Sequence, residues 1–334
     1  MPSKDILKYG SEIIPAINDN ASSQFGAYET YSRKRIDEKL SSAGNNNNTC
    51  TNVSSGYDWS GRKIAFEGES ITMNNTMAYP EHVAENTGCV PVKIGIAGVP
   101  IMGDYVGKAW DFRRRVSNIP ADVDAIIVLG DCNAITSSDS QQNSTSIADW
   151  GGRWNLAVDA IKRSFPTVPL FLVSEYPMKG KNNQNKNTPI QFEAMARKHG
   201  AVFVCLATES PLSLIYGYPK YGLTATDGVH TNHEGMKLFA DAIIRRLREI
   251  PPPDWTGTDS ITIDATASVA AGSTVSIGYE VTGDLSVQWT SDNMDVACVM
   301  GGVVYGMTEG TATITAKTRS GKTATCTVTV TASA

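Results

Sequence analysis

Residues 63–72 read KIAFEGESIT. The apolar residues at the start of this stretch have the length and composition of a buried strand, and the glycine-containing turn after them leads toward a helix. Similar apolar runs recur further along the chain, and longer helical patterns separate them. The later runs are residues 92–96, 125–129, 170–173 and 202–205. This alternation predicts βαβ units, and therefore a parallel sheet with helices on its faces.

The α/β pattern occupies residues 61–250 and is followed by a region of different composition. Its last helix carries an apolar stripe formed by Met236, Phe239, Ala240, Ile243 and Leu247. A proline run then ends that helix, and residues 251–258 form a stiff linker. Residues 259–334 are rich in Thr, Val, Ser, Ala and Gly with period-two alternation. This pattern predicts an all-β sandwich as a second domain.

Residues 1–60 differ from both regions because they are polar and lack long apolar periodicity. An asparagine-rich run at residues 45–49 reads as a solvated linker, and residues 31–40 form a short charged helical pattern. The spacing of residues 30–32, 36–37 and 40 resembles connectors of phage tail fibres and receptor-binding proteins. The resemblance implies a homotrimer, or attachment to a phage particle, through residues 1–60. An ordinary amphipathic linker helix is the alternative.

Charge and hydropathy exclude several function classes. The net charge is −5 and the pI is about 5.5, so no basic surface is expected for nucleic acid. No apolar run reaches the length of a membrane span, and residues 1–5 lack the apolar stretch of a secretory signal. Six scattered cysteines without a C-x-x-C pair disfavour a zinc site. Whether Cys298 and Cys326 pair stays open, because pairing depends on side-chain geometry.

A mechanism that needs an imidazole near neutral pH has four histidines to choose from: His82, His199, His230 and His233. His199 precedes a glycine at a predicted helix end, which favours a structural role. His82 is expected at the surface of the helix after Ser70. His230 differs because Asp227 lies three residues upstream in a glycine-containing turn. A carboxylate at that spacing can orient an imidazole as a general base, although a capping aspartate beside a surface histidine gives the same pattern.

Ser70 is the predicted nucleophile. It follows the first strand, so it should lie at the carboxyl edge of the sheet, where open parallel sheets bind ligands. A serine in a strand-to-helix turn can expose its hydroxyl and direct its own amide toward an oxyanion. The alternative for this motif by itself is a serine that only caps the helix.

Together, GESIT at residues 68–72 and DGVH at residues 227–230 resemble the first and last sequence blocks of SGNH (GDSL-type) hydrolases. The resemblance implies a flavodoxin-like three-layer fold and a serine esterase without metal or organic cofactor. It implies a catalytic triad of Ser70, Asp227 and His230. Gly98, after the second strand, and Asn133, after the third, match the family's oxyanion donors, which act together with the amide of Ser70.

Two positions depart from the family pattern. Glu69 stands where the family has an aspartate beside the nucleophile. A gap-free match of residues 130–133 to the family's third block would place Cys132, and not Asn133, in the asparagine position. Loss of one oxyanion donor typically lowers the rate by about 10²- to 10³-fold. Asn133 remains the better match.

Residues 259–332 resemble bacterial immunoglobulin-like domains of group 2, on the strength of GGVVYG at residues 301–306, GTATI at 310–314 and TCTVTV at 325–330. That resemblance implies presentation at a surface. We therefore expect a virion-associated or extracellular enzyme acting on an acylated carbohydrate, namely O-acetyl groups of a surface or capsular polysaccharide. One alternative is a non-catalytic glycan-binding adhesin or receptor-binding protein with a degenerate hydrolase fold. Another is a metal site formed by Asp227, His230 and His233.

Overall fold

The computed structural model describes residues 56–73, 78–98, 112–130, 147–174, 182–210 and 229–333, and the side chains of 147–150 and 182–188 are outside that description. Five strands of the amino-terminal part form one parallel sheet in the order β2-β1-β3-β4-β5. These strands are β1 (Lys63–Glu67), β2 (Val90–Lys93), β3 (Ala125–Leu129), β4 (Leu170–Ser174) and β5 (Val202–Cys205). The predicted parallel sheet is confirmed, and its strand order is that of flavodoxin-like folds.

Helices cover both faces of this sheet. They are α1 (Ser70–Met73), α2 (Tyr79–Thr87), α3 (Phe112–Ser117), α4 (Ile147–Ser164), α5 (Asn182–His199), α6 (Leu206–Glu209) and α7 (His233–Glu249). Alternate strand residues face opposite layers. In β3, Ile127 packs with α2 and α7, whereas Ile126 packs with α3, α4 and α5. The result is the three-layer α/β architecture expected from the sequence.

The second strand begins and ends earlier than its apolar pattern predicts. It spans Val90–Lys93, not residues 92–96. Strand β2 lies at the edge of the sheet, where Pro91 is tolerated because one side of an edge strand needs no ladder partner. Beyond the strand, the amides of Ile94 and Ile96 still donate to the carbonyls of Phe66 and Gly68, at 3.0 and 3.1 Å. Residues 94–96 therefore run alongside the end of β1.

The carboxyl-terminal part of the chain is all-β, as predicted. Its strands are β6 (Asp259–Ile263), β7 (Thr266–Ala270), β8 (Thr274–Ser276), β9 (Tyr279–Gly283), β10 (Val287–Ser291), β11 (Ala297–Met300), β12 (Val303–Gly306), β13 (Gly310–Thr318) and β14 (Thr323–Thr331). They form sheets of four, three and two strands around an apolar core centred on Trp289, Ile314 and Val328. The immunoglobulin-like family assignment of this C-terminal β region stays a prediction.

The C-terminal β region packs against the helical layer that contains α3 and α4. The side chain of Met300, on β11, is buried in the core of that layer. Gln288 donates to the carbonyl of Ser117 at 3.0 Å, Arg163 donates to the carbonyl of Gly301 at 3.2 Å, and Arg114 pairs with Asp295. The two parts of the chain therefore share apolar as well as polar contacts.

The two cysteines whose pairing stayed open are both thiols. The Sγ atom of Cys298 contacts the carbonyl of Met294 at 3.1 Å, and Cys326 is buried in the core of the C-terminal β region. Burial raises the pKa of the Cys326 thiol, which keeps it protonated. Both residues therefore act as small apolar core residues.

Some predictions concern residues outside the described part of the chain. The helix at residues 31–40 and most of the amino-terminal segment belong to this group, as do Asp227, Cys132 and Asn133. None of the described helices has the length and apolar character that a membrane span requires.

Candidate active site

The structure places Ser70 at the carboxyl end of the central strands. It is the first residue of α1 and is separated from the end of β1 by Gly68 and Glu69. Strand β1 lies between β2 and β3, so the chain changes direction across the sheet at this point. In open α/β sheets, such a switch point leaves a crevice outside the strand ends where ligands bind.

His230 lies 160 residues after Ser70 in the sequence, near the other end of the α/β part of the chain, and is next to Ser70 in the fold. Its Nε2 atom lies 2.9 Å from the Oγ atom of Ser70, a distance at which a hydrogen bond joins a hydroxyl and an imidazole. Two residues after His230, Asn232 caps helix α7 by accepting a hydrogen bond from the amide of Gly235 at 3.0 Å. The cap fixes the start of the helix, and this helix start in turn holds the histidine at the sheet edge.

A proton can move directly between these two side chains. A neutral imidazole that accepts at Nε2 can take the serine proton as the oxygen attacks a carbonyl carbon. Both side chains are only partly exposed, so the pair stands at a surface that substrate can reach. Asp227, predicted to orient this imidazole, lies outside the described residues, and its role stays a prediction.

Of the predicted oxyanion donors, the structure describes Ser70 and Gly98 but not Asn133. The backbone of Ser70 is fixed by the start of α1, because the carbonyl of Glu69 accepts from the amides of Thr72 and Met73, each at 3.0 Å. Gly98 lies in an exposed turn with φ of 79°, a backbone conformation that favours glycine. No atom of the described residues would lie within 4 Å of a Cβ there, and it is the positive φ that favours glycine at this position. Asn133 and Cys132 lie outside the described residues.

Helix α1, which begins at Ser70, is supported by a buried tyrosine. The hydroxyl groups of Tyr79 and Thr72 are 3.2 Å apart, and the ring of Tyr79 stacks on Phe239 with 4.2 Å between centroids. Burial raises the pKa of Tyr79 far above its usual value, so the phenol stays neutral. It is therefore a structural support, not an acid or base that works near neutral pH.

The prediction that His82 lies at the surface is wrong. Only 1% of its surface is exposed, because α2 turns this side toward α7. Its ring contacts the ring of His233 with 4.7 Å between centroids, and its Nδ1 lies 3.2 Å from Glu85. Tyr79, His82 and Val83 have the i, i+3, i+4 spacing of one helix face, so the helical periodicity places His82 on the buried side of α2, a signal that the surface prediction overlooked.

The metal alternative gains no support from the described residues, among which no three His, Cys, Asp or Glu side chains lie close enough to hold an ion. His230 faces Ser70 and His233 faces His82. Asp227, the third member of that alternative, is outside the description.

Two residues near Ser70 were missing from the sequence prediction. Glu67 ends β1, and Arg115 on α3 donates to it from Nε at 2.8 Å. Both are buried, with 4% and 1% of their surfaces exposed. Arg115 is one of three consecutive arginines. Its spacing from Phe112 and Val116 is the i, i+3, i+4 pattern of one helix face, which is the sequence signal that could have indicated its burial. Its contact with Glu67 becomes visible only in the fold.

No family model and no curated protein matches the sequence. Several solved structures are similar to it. A Lactobacillus plantarum protein has a TM-score of 0.45 and 20% identity over 56% of this chain and 97% of its own. A lipase/acylhydrolase from Enterococcus faecalis has a TM-score of 0.44 and 14% identity, covering 58% and 99%. A mutant of an acetyl-xylooligosaccharide esterase from Geobacillus has a TM-score of 0.45 and 18% identity, over 56% of this chain and 94% of its own.

Proposed function

We propose that residues 61–250 form a serine esterase that hydrolyses carboxylic esters, with Ser70 as nucleophile and His230 as general base. The observation that carries the proposal is the 2.9 Å distance between Ser70 Oγ and His230 Nε2 at the carboxyl edge of the sheet. The sequence blocks around both residues, similar to those of SGNH hydrolases, support the same reaction. Neither argument requires a cofactor.

In the proposed reaction, His230 takes the proton of Ser70 while the serine oxygen attacks the ester carbonyl carbon. The tetrahedral intermediate collapses as the imidazolium gives this proton to the leaving alcohol, which leaves an acyl group on Ser70. Water, activated by the same imidazole, then releases the acid. Asp227 would hold the imidazole in the required tautomer and stabilise its charged form.

The negative charge on the tetrahedral intermediate needs donors that are already in position. We assign this role to the amides of Ser70 and Gly98, with the side chain of Asn133 as a third donor. The hydrogen bonds that the carbonyl of Glu69 accepts from α1 support the first assignment, because they hold the peptide plane that contains the Ser70 amide. Fixed donors of this kind stabilise developing charge without reorganising.

We further propose O-acetyl groups of a surface or capsular polysaccharide as the substrate, at a virion or cell surface. The β-rich region that follows the hydrolase fold supports an enzyme presented on a larger assembly, with residues 1–60 as its attachment or trimerisation segment. Acetate release from O-acetylated polysaccharide should exceed release of long-chain acids from matched esters. The full chain should have the mass of three copies in light scattering. A preference for long acyl chains contradicts the substrate, and a monomer contradicts the trimer.

The decisive experiment is labelling with a fluorophosphonate, followed by mapping of the modified residue. We expect modification of Ser70, and none in a Ser70→Ala variant that also fails to hydrolyse p-nitrophenyl acetate. Ser60→Ala is the matched control, because Ser60 is an exposed serine just before β1, at the other end of the same strand. Labelling at another residue overturns the assignment. Glycan binding without Ser70-dependent turnover would instead indicate a non-catalytic adhesin.

A further inference from the structure

We infer that Arg115, held by Glu67, is a positioning residue for the nucleophile turn of residues 68–70. The inference rests on the proposed function and adds a residue that acts through backbone geometry, without contact with substrate. The carbonyl of Gly68, two residues before Ser70, accepts two hydrogen bonds. The Nη2 atom of Arg115 donates to this carbonyl at 2.5 Å, and the amide of Ile96 donates to it at 3.1 Å.

The guanidinium of Arg115 contacts two consecutive residues of the chain. Besides Gly68, it contacts Glu67 Oε1 through Nε at 2.8 Å and also through Nη2. The side chains of Arg115 and Glu67 are 1% and 6% exposed. Charge-assisted bonds between such buried groups are short and directional, and removal of one partner leaves the other charge uncompensated. The pair therefore fixes the end of β1 and the first peptide of the turn together.

The turn is packed so closely that neither Gly68 nor Gly95 has room for a side chain. A Cβ on Gly68 would come within 1.9 Å of the Thr72 hydroxyl, and a Cβ on Gly95 within 2.4 Å of the Gly68 carbonyl. The backbone of residues 95–96 thus lies directly against the turn. Since Gly98 follows on this same segment, the Gly68 carbonyl joins the nucleophile turn to the backbone that leads to the second predicted oxyanion donor.

Peptide planes on both sides of Glu69 are consequently held. Arg115 and Ile96 hold the plane before Glu69 through the Gly68 carbonyl, and the amides of Thr72 and Met73 hold the plane after it through the Glu69 carbonyl. The second plane contains the Ser70 amide. Displacement of reacting groups by about 1 Å, even from a distant change, can cost about 10²-fold in rate.

The neighbour of Arg115 provides a matched control. Arg114 lies on the same helix, but its side chain pairs with Asp295 of the C-terminal β region and is 19% exposed. Removal of its charge changes the same helix without touching the turn. Arg115→Lys keeps the positive charge at the buried position, yet one ammonium group cannot reproduce the fork that reaches Glu67 and Gly68 together.

The experiment measures kcat and KM for p-nitrophenyl acetate and the rate of Ser70 phosphonylation in the full chain, for the parent, Arg115→Lys, Arg115→Met and Arg114→Met. We expect Arg115→Lys to lower kcat and the phosphonylation rate by about 10- to 100-fold, with KM within about twofold. Arg114→Met should keep all three values within about twofold of the parent. Arg115→Met should lose at least as much as Arg115→Lys; if it does not fold, Arg115→Lys alone decides.

A folded Arg115→Lys variant with the kcat and labelling rate of the parent overturns the inference and leaves the esterase proposal standing. So does an equal loss in Arg114→Met, which would indicate a general effect of the helix. A parent protein without Ser70-dependent turnover or labelling overturns the proposed function, and the positioning role falls with it.

Discussion

The parallel sheet has one polar cluster at the carboxyl ends of its strands and another at their amino ends. The two clusters differ in how far their polar side chains are exposed. At the carboxyl end, the partly exposed Ser70 and His230 face each other across 2.9 Å. At the amino end, Asp124 comes directly before β3 with 3% of its surface exposed. Both clusters join residues that are far apart in sequence. The Ser70–His230 pair is accessible from solvent, whereas Asp124 is buried.

Asp124 is enclosed by donors from three parts of the chain. It accepts from the amide of Lys63 at 2.7 Å, from Nε1 of Trp255 at 2.5 Å and from Nη2 of Arg319 at 2.8 Å. The guanidinium of Arg319 also lies 3.9 Å from the ring centroid of Trp255 and donates to the carbonyl of Val123. The aspartate therefore ties β1, the linker and the C-terminal β region together.

The two clusters illustrate how a proposed functional site differs from a structural polar cluster on the same sheet. A group whose hydrogen bonds are all made to fixed protein partners contributes to stability, because any change leaves buried donors unpaired. A reactive group instead pairs with a proton acceptor and keeps access to solvent. Mutations in the two clusters should therefore have different effects. A change in the Ser70–His230 pair should lower the reaction rate, and a change at Asp124 should lower the free energy of unfolding.

The largest expected effect is that of His230→Gln. Without an imidazole, Ser70 has no general base, and kcat/KM for p-nitrophenyl acetate should fall by about 10⁴-fold or more. The free energy of unfolding in urea should change by less than about 1 kcal/mol, since the side chain is partly exposed. Esterase activity that survives this substitution would break the comparison at its functional end.

Asp124→Ala should have the opposite profile. Removing this carboxylate deprives the guanidinium of Arg319 of its charged partner and the N–H of Trp255 of its acceptor, so the free energy of unfolding should fall by about 3 to 5 kcal/mol. Activity of the folded fraction should stay within about twofold at a temperature where the variant is folded. Urea unfolding and kcat measured on the same preparation test both statements.

Asp122→Ala is the matched control for that variant. Asp122 lies two residues earlier, pairs with the side chain of Lys63, and is 45% exposed. Exposed ion pairs contribute about 0 to 1 kcal/mol, so this variant should unfold close to the parent. Equal destabilisation by both variants would show that the burial of Asp124 has no special role.

The sequence predicted the sheet well because buried parallel strands are apolar runs that local composition can show. Ile64, Ile127 and Phe171 all lie in such runs and all face the same helical layer. Ser70 and His230 were identified because glycine-containing turns at strand and helix ends leave local sequence patterns. The structure brings Ser70 and His230 together, but their catalytic roles, like those of Asp227, Gly98 and Asn133, stay predictions.

The sequence could not reveal contacts that depend on how helices and strands pack. Arg114 and Arg115 are consecutive residues of one helix, yet Arg115 reaches the nucleophile turn and Arg114 reaches Asp295. Likewise, helical spacing indicates that His82 lies on the buried side of α2, but its contact with the ring of His233 depends on how α2 and α7 pack. Such long-range contacts carry no local sequence signal.

A smaller effect at the amino end is expected for Trp255→Phe. This change removes the N–H that donates to Asp124 and keeps an aromatic ring beneath Arg319. The free energy of unfolding should fall by about 1 to 2 kcal/mol, because one charge-assisted hydrogen bond is lost and a cation–π contact is weakened. Esterase activity should not change. A urea titration monitored by circular dichroism avoids the loss of the tryptophan signal.

A small effect is also expected at the carboxyl end, for Tyr79→Phe. The change removes the hydroxyl that pairs with Thr72 but keeps the stacking on Phe239, so it should lower the free energy of unfolding by about 0.5 to 1.5 kcal/mol near neutral pH.

The pKa of Tyr79 is raised in the folded protein, mainly by burial. Its contribution to stability is therefore complete below the pKa of an unfolded tyrosine, about 10, and declines above it. The parent should lose stability more steeply between about pH 10 and 11 than the variant. Parallel slopes in urea titrations across this interval would mean that the buried phenol does not link stability to pH.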